Sequence, residues 1–365
     1  MAFDLVIGQE GPKRVLERAL QRGRLAHAYL FLGPDGVGKE AMALALAQAI
    51  LCHTPGAWGC GACPNCRKVA TLNHVDVRFV FPAPPKLDVD REREILDSVA
   101  REPYARLRPW ANPVIPIERI RALRYDSSMK SFEGRGRVVI IAEAEAMRAE
   151  AANALLKLLE EPPPATTFIL TTTMVQALLP TIVSRCQLVR FSLLTPQQIQ
   201  AALVERRQVP VEQARLIAGM ACGSYRKAIE WLDQDLNRRR DEAIELLRVA
   251  IRADHDHVLQ AEQLRQLGDK ALVKEYLRVL LGVFHDALVL STLEQDPQAA
   301  GLLVNFDRLD WLKKFVGAFE HIDFDAATGA IEEAMARIDR NLELSLVLIV
   351  LFQHLRSALR RKRNV

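Results

Sequence analysis

The chain has no excess of charge of either sign. Its 49 Lys and Arg nearly balance 45 Asp and Glu, leaving +4 over 365 residues. So small a charge creates no chain-wide basic field that would draw in nucleic acid. Aromatic residues make up only 6% and do not interleave with basic ones, as a stacking platform for single strands requires. There is no long apolar run. The best, Leu342–Phe352, is broken by Glu343 and Ser345 and is too short to span a bilayer. The first residues, MAFDLVIGQE, lack the charged-then-apolar order of a secretory signal. No internal repeat or low-complexity tract is visible. These absences predict a cytoplasmic protein with no membrane partner. Its six cysteines should then be reduced, serving as metal ligands or core residues rather than disulfides.

What is present is ordinary in bulk: 50% hydrophobic and 26% charged residues, in a chain long enough for two or three cores. The first half alternates short apolar runs with helical patterns, which predicts a parallel sheet covered by helices. Strands are expected at Ala28–Leu32, Val75–Phe81, Arg137–Ala142, Phe168–Thr172 and Leu188–Phe191. Helices are expected at Glu40–Leu51 and Ile117–Ser128. Residues 82–116 are proline-bounded and charged and read as an insertion carrying one short helix, Asp90–Arg101. After Phe191 the pattern is helical throughout. Thr195-Pro196 reads as an N-cap followed by proline at the first helical position. Further on, Leu272, Tyr276, Leu277, Leu280, Phe284 and Leu288 form a stripe at helical spacing.

The most telling absence is local. Gly33–Glu40 reads GPDGVGKE and meets the phosphate-loop pattern at Gly33, Gly38 and Lys39, with Gly36 between them. Backbone N–H groups of such a loop cradle phosphates, and Lys39 would reach the outer ones. Position 40, however, carries a carboxylate where a Ser or Thr hydroxyl should ligate Mg²⁺. A second magnesium contact, an Asp ending a buried strand, is expected just after Val138–Ile141; the residue there is Ala142, followed by Glu143. A methyl group cannot ligate a cation. The simpler reading of Glu143 and Glu145 is a pair of solvated loop carboxylates.

Cys52, Cys60, Cys63 and Cys66 have the spacing C-x7-C-x2-C-x2-C, which suits a structural zinc ion with four thiolates and no open position. Gly56, Gly59, Gly61 and Pro64 supply turns for convergence, and His53 is an alternative ligand. Cys186 and Cys222 lack partner spacing and are expected in the core. Arg185, in Ser184-Arg185-Cys186, sits at a sheet edge, where a guanidinium can point out of its own subunit; taken alone, the reading as a surface ion-pair arginine prevails. Arg226 opens a helix with Ser224 as N-cap and could face a nucleotide; it is equally an exposed helix arginine.

Taken together, His27–Glu40, the cysteine module, Ser131–Ile141, Ala151–Pro164 and Thr181–Cys186 resemble the clamp-loader branch of the AAA+ ATPases. The resemblance covers about the first 235 residues; beyond it, only length and pattern fit. It implies an α/β P-loop domain over residues 1–192, a small helical lid domain over 193–238 and an all-α collar domain over 239–365. It implies a non-hydrolysing subunit of a pentameric ring that includes motor subunits and a delta subunit and loads a sliding clamp onto primer-template DNA. Arg185 would then be an arginine finger acting on a neighbour's ATP, and the four cysteines would hold zinc. Thr172 or Thr173 would match the first sensor position and Arg226 the second. ATP or ADP binding without hydrolysis is compatible with the retained glycines and Lys39. Two departures stand out: the first cysteine gap is one residue shorter than the family's, and the 82–116 insertion is longer than its usual link.

Two other functions compete. An ATP-hydrolysing motor subunit of the same assembly would need an unusual metal site built on Glu143 or Glu40. A zinc-containing nucleic-acid binder would use the basic end at Arg356, Arg360, Arg361, Lys362 and Arg363; the near-neutral chain argues against it.

Overall fold

A computed structural model of the chain describes residues 2–54, 59–84, 87–105, 110, 113–127, 135–232, 236–251, 270–293 and 302–361. The expectations for Gly56, Ser128, Ser131, Lys362 and Arg363 lie outside these residues. The chain divides into two compact units, Met1–Gln208 with Ala221–Ile229, and Val209–Met220 with Glu230–Val365. Residues 193–238, read from sequence as a lid, are therefore shared between them.

The first unit is built on five parallel strands: β1 (Ala28–Leu32), β2 (Val77–Val80), β3 (Arg137–Ile141), β4 (Thr166–Thr172) and β5 (Gln187–Arg190), in the spatial order β2-β3-β4-β1-β5. Residues of β1, β3 and β4 are buried on both faces, as helix-covered parallel sheets require. That explains why they read as continuous apolar runs. β1 pairs with β4 on one side and β5 on the other, with Leu30 opposite Leu170 and Leu188. The strand ends differ from the sequence reading by one or two residues, as fraying ends do.

Helices α1 (Glu10–Gln21), α2 (Lys39–Leu51), α3 (Pro64–Ala70), α4 (Val89–Arg101), α5 (Ile117–Ser127), α6 (Ala149–Glu160), α7 (Pro180–Val183) and α8 (Pro196–Arg207) complete this unit. α2 is buried nearly all round, and its alanines allow close approach to the sheet. On the sheet, Val139, Ile141, Phe168 and Leu170 pack with Ile120 and Leu123 of α5 and Leu155 and Leu159 of α6. α8 starts with a full capping box, in which the Thr195 hydroxyl accepts from the Gln198 amide at 3.2 Å.

α10 (Tyr225–Leu232) straddles the division, with Tyr225–Ile229 in the first unit; the second unit contains α9 (Val211–Met220), α11 (Leu236–Ile251) and α12 (Lys270–Thr292). It continues with α13 (Leu309–Gly317), α14 (Phe324–Asp339) and α15 (Leu344–Ala358). It is not wholly helical: β6 (Phe319–Ile322) and β7 (Leu359–Arg361) form a two-stranded antiparallel ribbon. The backbone of Arg360 and Arg361 is thus paired rather than part of a free tail. The buried stripe of α12 runs through Val273, Tyr276, Leu277, Leu280, Phe284 and Ala287, one position away from the expected one at both ends. Leu288 is exposed, because the buried face there is completed by Val283 and Ala287 instead. Arg240 is fully buried; it donates to Asn305 Oδ1 at 2.8 Å and to both Asp307 oxygens at 2.7 Å. No helix among the described residues is long and apolar enough to cross a membrane.

Candidate functional site

Strand β1 delivers the chain into the glycine loop, and α2 begins at Lys39, directly after Gly38. Gly36 and Gly38 both take left-handed backbone (φ 72° and 101°), which explains the glycines at these positions. The loop is tightly enclosed. A Cβ on Gly36 would lie 2.2 Å from the Ser224 hydroxyl, and one on Gly38 2.7 Å from the Tyr104 hydroxyl. The Gly36 carbonyl accepts from the Tyr225 amide at 3.0 Å, so the first turn of α10 is seated on the loop. Ser224 caps that helix, accepting from the Lys227 amide at 3.4 Å.

Lys39 is buried, and its ammonium donates to the carbonyls of Gly33 and Pro34 at 2.9 and 2.6 Å. Burial lowers its pKa, against the pull of Glu40 and Asp35. Arg226 is also buried; it pairs with Asp35 in the loop and donates from Nε to the Tyr104 carbonyl at 2.8 Å.

The magnesium side is occupied by other chemistry. Thr171 donates its hydroxyl proton to Glu40 Oε1 at 2.8 Å, while the Thr171 Oγ1 itself accepts from the Glu143 amide at 3.1 Å. Glu143 adopts left-handed backbone, φ 53°. Glu145 accepts from the amide and hydroxyl of Thr173 at 3.1 and 2.8 Å, and so is engaged rather than solvated. Thr172 accepts at its carbonyl from the Gly33 amide at 3.2 Å, while its hydroxyl accepts from Met174. The residue bonded to Glu40 is therefore Thr171, which the sequence reading did not single out. Ala142 is 5% exposed and packs in an apolar cluster with Phe81, Ala83 and Ile95.

These residues do not fit a magnesium nucleotide as they stand. Position 40 offers a carboxylate already bound, position 142 a methyl, and Lys39 is turned onto its own loop. Tyr104 lies over the last glycine.

The four cysteines do come together. Their sulfurs all lie within 4.8 Å of one another, and Cys60 and Cys66 are 3.9 Å apart. Tetrahedral zinc at about 2.3 Å per sulfur would set sulfurs about 3.8 Å apart, so the donor set fits that ion. Backbone amides point at the sulfurs: Thr54 and Cys60 at Cys52, Cys63 at Cys60, and Cys66 at Cys63, all at 3.3–3.4 Å. Hydrogen bonds from Thr54 and from the Cys63 and Ala62 amides hold the Cys60 thiol down to about 5. Burial pushes Cys66 upward. Arg135 clasps the module, donating to the carbonyls of Cys52 and His53 at 2.6 and 3.3 Å. Cys186 lies partly buried against the core, but Cys222 is exposed with φ 48°. Cys222 occupies a turn between α9 and α10, so helical periodicity gave no guide to its burial.

Arg185 sits apart from the glycine loop's hydrogen bonds. It donates to the Thr181 carbonyl at 3.0 Å and pairs with Glu160 at 2.9 Å, its side chain 35% exposed. Tyr104, Thr171, Asp35, Glu160 and Arg135 were not singled out from the sequence. Glu160 stood within Ala151–Pro164, Asp35 within the glycine loop, Arg135 within Ser131–Ile141 and Thr171 within the expected strand Phe168–Thr172, none with a role assigned; Tyr104 carries no local signal.

Residues 8–195 match the protein family described as "DNA polymerase III, delta subunit". The chain is 34% identical over 207 residues to "DNA polymerase III subunit delta'" of Bacillus subtilis (strain 168), covering 57% of this chain and 54% of that protein. It is 34% identical over 241 residues to "DNA polymerase III subunit tau" of the same organism, covering 64% and 38%. It is 32% identical over 357 residues to "DNA polymerase III subunit gamma/tau" of Mycobacterium tuberculosis (strain ATCC 25618 / H37Rv), covering 93% and 55%. The chain thus spans about half or less of the length of these relatives. Among solved structures, a gamma subunit-related protein from Thermotoga maritima aligns with TM-score 0.45 and 16% identity over 94% of this chain and 98% of that one. The family match covers more than half of the 365 residues, and the chain belongs to the DNA polymerase III delta-subunit family.

Proposed function

We propose that this chain is the delta-prime-type subunit of a clamp loader, a non-hydrolysing stator that lends Arg185 to ATP held by a neighbouring motor subunit. One observation carries the reading. Both protein-side magnesium contacts are replaced, and each replacement is built into the structure: Glu40 is bound by Thr171, and Ala142 is packed in an apolar cluster. A motor subunit needs both positions. Sequence identity to delta-prime and tau relatives is the same, 34%, so the chemistry of the loop has to separate the two readings.

In this reading Arg185 supplies a guanidinium, whose fixed charge neutralises charge developing on a transferring phosphoryl. Glu160 and the Thr181 carbonyl orient it in the isolated chain. The cysteine module, with zinc at Cys52, Cys60, Cys63 and Cys66, cross-links the end of α2 to α3 and has no catalytic part. Partners in the ring, the sliding clamp and primer-template DNA belong to the same proposal. The isolated chain should show no ATP turnover. In a reconstituted clamp loader, Arg185→Ala should lower ATPase by on the order of 10³ or less. An Arg185→Ala complex with full ATPase would sink the assignment, and sustained hydrolysis by the isolated chain that depends on Lys39 would favour the motor reading.

A further inference from the structure

The insertion between β2 and β3 reaches the glycine loop, and it arrives with side chains suited to closing it. α4 places Ile95 in the apolar cluster that holds Ala142. The chain then leaves α4 at Glu102 and brings Tyr104 over Gly38, its hydroxyl 2.7 Å from the position a Cβ would take there. That hydroxyl accepts from the Ile7 amide at 2.8 Å. Ile7 belongs to the N-terminal segment bordering the loop, tied to it by Gln9, which donates to the Val37 carbonyl at 3.2 Å. Tyr104 therefore bridges the two sides of the space above the loop and is itself 1% exposed.

The segment is held by contacts that can be released. Glu102 pairs with Arg207, whose side chain is 39% exposed. The Tyr104 carbonyl takes Arg226 Nε, and the Tyr225 ring meets Tyr104 edge-on at 5.0 Å. Arg226 and the loop backbone are also the groups a phosphate chain would need. A filler that merely completed a core would not have to engage them.

We propose that Glu102–Ala105 is a built-in plug for the phosphate loop, with Tyr104 as its stopper, so that nucleotide enters only when this segment withdraws. The inference rests on the geometry of the loop and insertion and not on the clamp-loader assignment. It accounts for retained glycines and Lys39 in a loop that has lost its metal contacts: the loop backbone is kept because the plug seats on it. A site that must open before binding weakens apparent affinity by the fraction of time it is open.

Binding of N-methylanthraniloyl-ADP to the full chain tests this, with wild type, Tyr104→Ala and Glu102→Lys compared. Glu102→Lys sets like charges against Arg207 at the surface and leaves the buried tyrosine in place. Tyr104→Ala should bind roughly 10-fold tighter or more, the factor imposed by a site open about a tenth of the time. Glu102→Lys should fall between it and wild type. A folded Tyr104→Ala chain that binds no better than wild type overturns the plug. Should that variant fail to fold, Glu102→Lys decides alone: tighter binding supports the plug, and unchanged binding overturns it. Hydrogen exchange adds a readout independent of affinity. Bound nucleotide should speed exchange at the Ile7 amide; nucleotide bound with that amide still protected would overturn the displacement.

Discussion

Restoring the missing aspartate should not restore a metal site; it should destabilise the fold. Ala142 is 5% exposed and lies among Phe81, Ala83 and Ile95, and the carboxylates of Glu40 and Glu143 line the same cavity. In Ala142→Asp the new carboxyl would be desolvated and would face two like charges, and both effects raise its folded pKa against the opposing pull of Arg226, a cation of the same cavity already paired with Asp35. Lifting that pKa from about 3.9 to about 6 removes roughly 3 kcal/mol of stability by neutral pH. The sign follows from proton counting. Between the two values the folded state holds the proton that the unfolded state has lost, so stability falls as pH rises. Below about pH 4 this penalty is absent, and above about pH 6 it is complete. Urea denaturation across that range, with Ala142→Asn as the uncharged control of similar size, isolates the charge. The Asp variant should lose stability relative to Asn as pH rises. A flat difference between the two, or recovery by millimolar Mg²⁺, would refute the claim that this position belongs to an apolar cluster.

Other consequences are as concrete. Metal analysis should find about one zinc per chain, and Cys63→Ser should lower both metal content and thermal stability; a metal-free, fully stable chain would contradict a structural zinc. Glu160→Ala removes an exposed partner of Arg185 and should change stability by no more than about 1 kcal/mol. In a reconstituted complex it should keep most ATPase; a loss as deep as that of Arg185→Ala would make Glu160 part of the machinery instead. Arg240→Ala leaves the buried Asn305 side chain without its donor, while Asp307 stays in reach of water, and should cost about 1–3 kcal/mol in chemical denaturation. Desolvation pulls the pKa of Asp307, 38% exposed, upward, but its hydrogen bonds and charge pairing with Arg240 together hold it below the ordinary value. That contribution should be present above about pH 4 and fade as pH falls through the lower folded value.

The sheet was legible because its central strands are buried on both faces and so read as unbroken apolar runs. The loop and the cysteine module were legible because their chemistry fixes residue types at short spacing. What escaped involves partners far apart in sequence. Glu40 and Thr171 meet across 131 positions, and nothing local distinguishes Thr171 from Thr172 in an all-buried strand. Tyr104 lies in an insertion without periodicity, so no pattern pointed it toward Gly38. The β6–β7 ribbon joins two very short segments of distant sequence, neither with enough alternation to stand out between helices. Leu288 shows the limit of a stripe read by spacing: one residue of rotation decides which side chains are covered.

Glu40 is usefully regarded as something gained. A serine or threonine at this position is shorter than glutamate by a carboxyl group's reach, and the contact with Thr171 depends on that reach. Through one hydroxyl, Thr171 joins the first turn of α2 to the turn after β3. The two parts are stitched across the strand between them, a cross-brace that resists their displacement. Returning Glu40 to threonine would therefore do more than offer a metal a ligand: it would cut the brace.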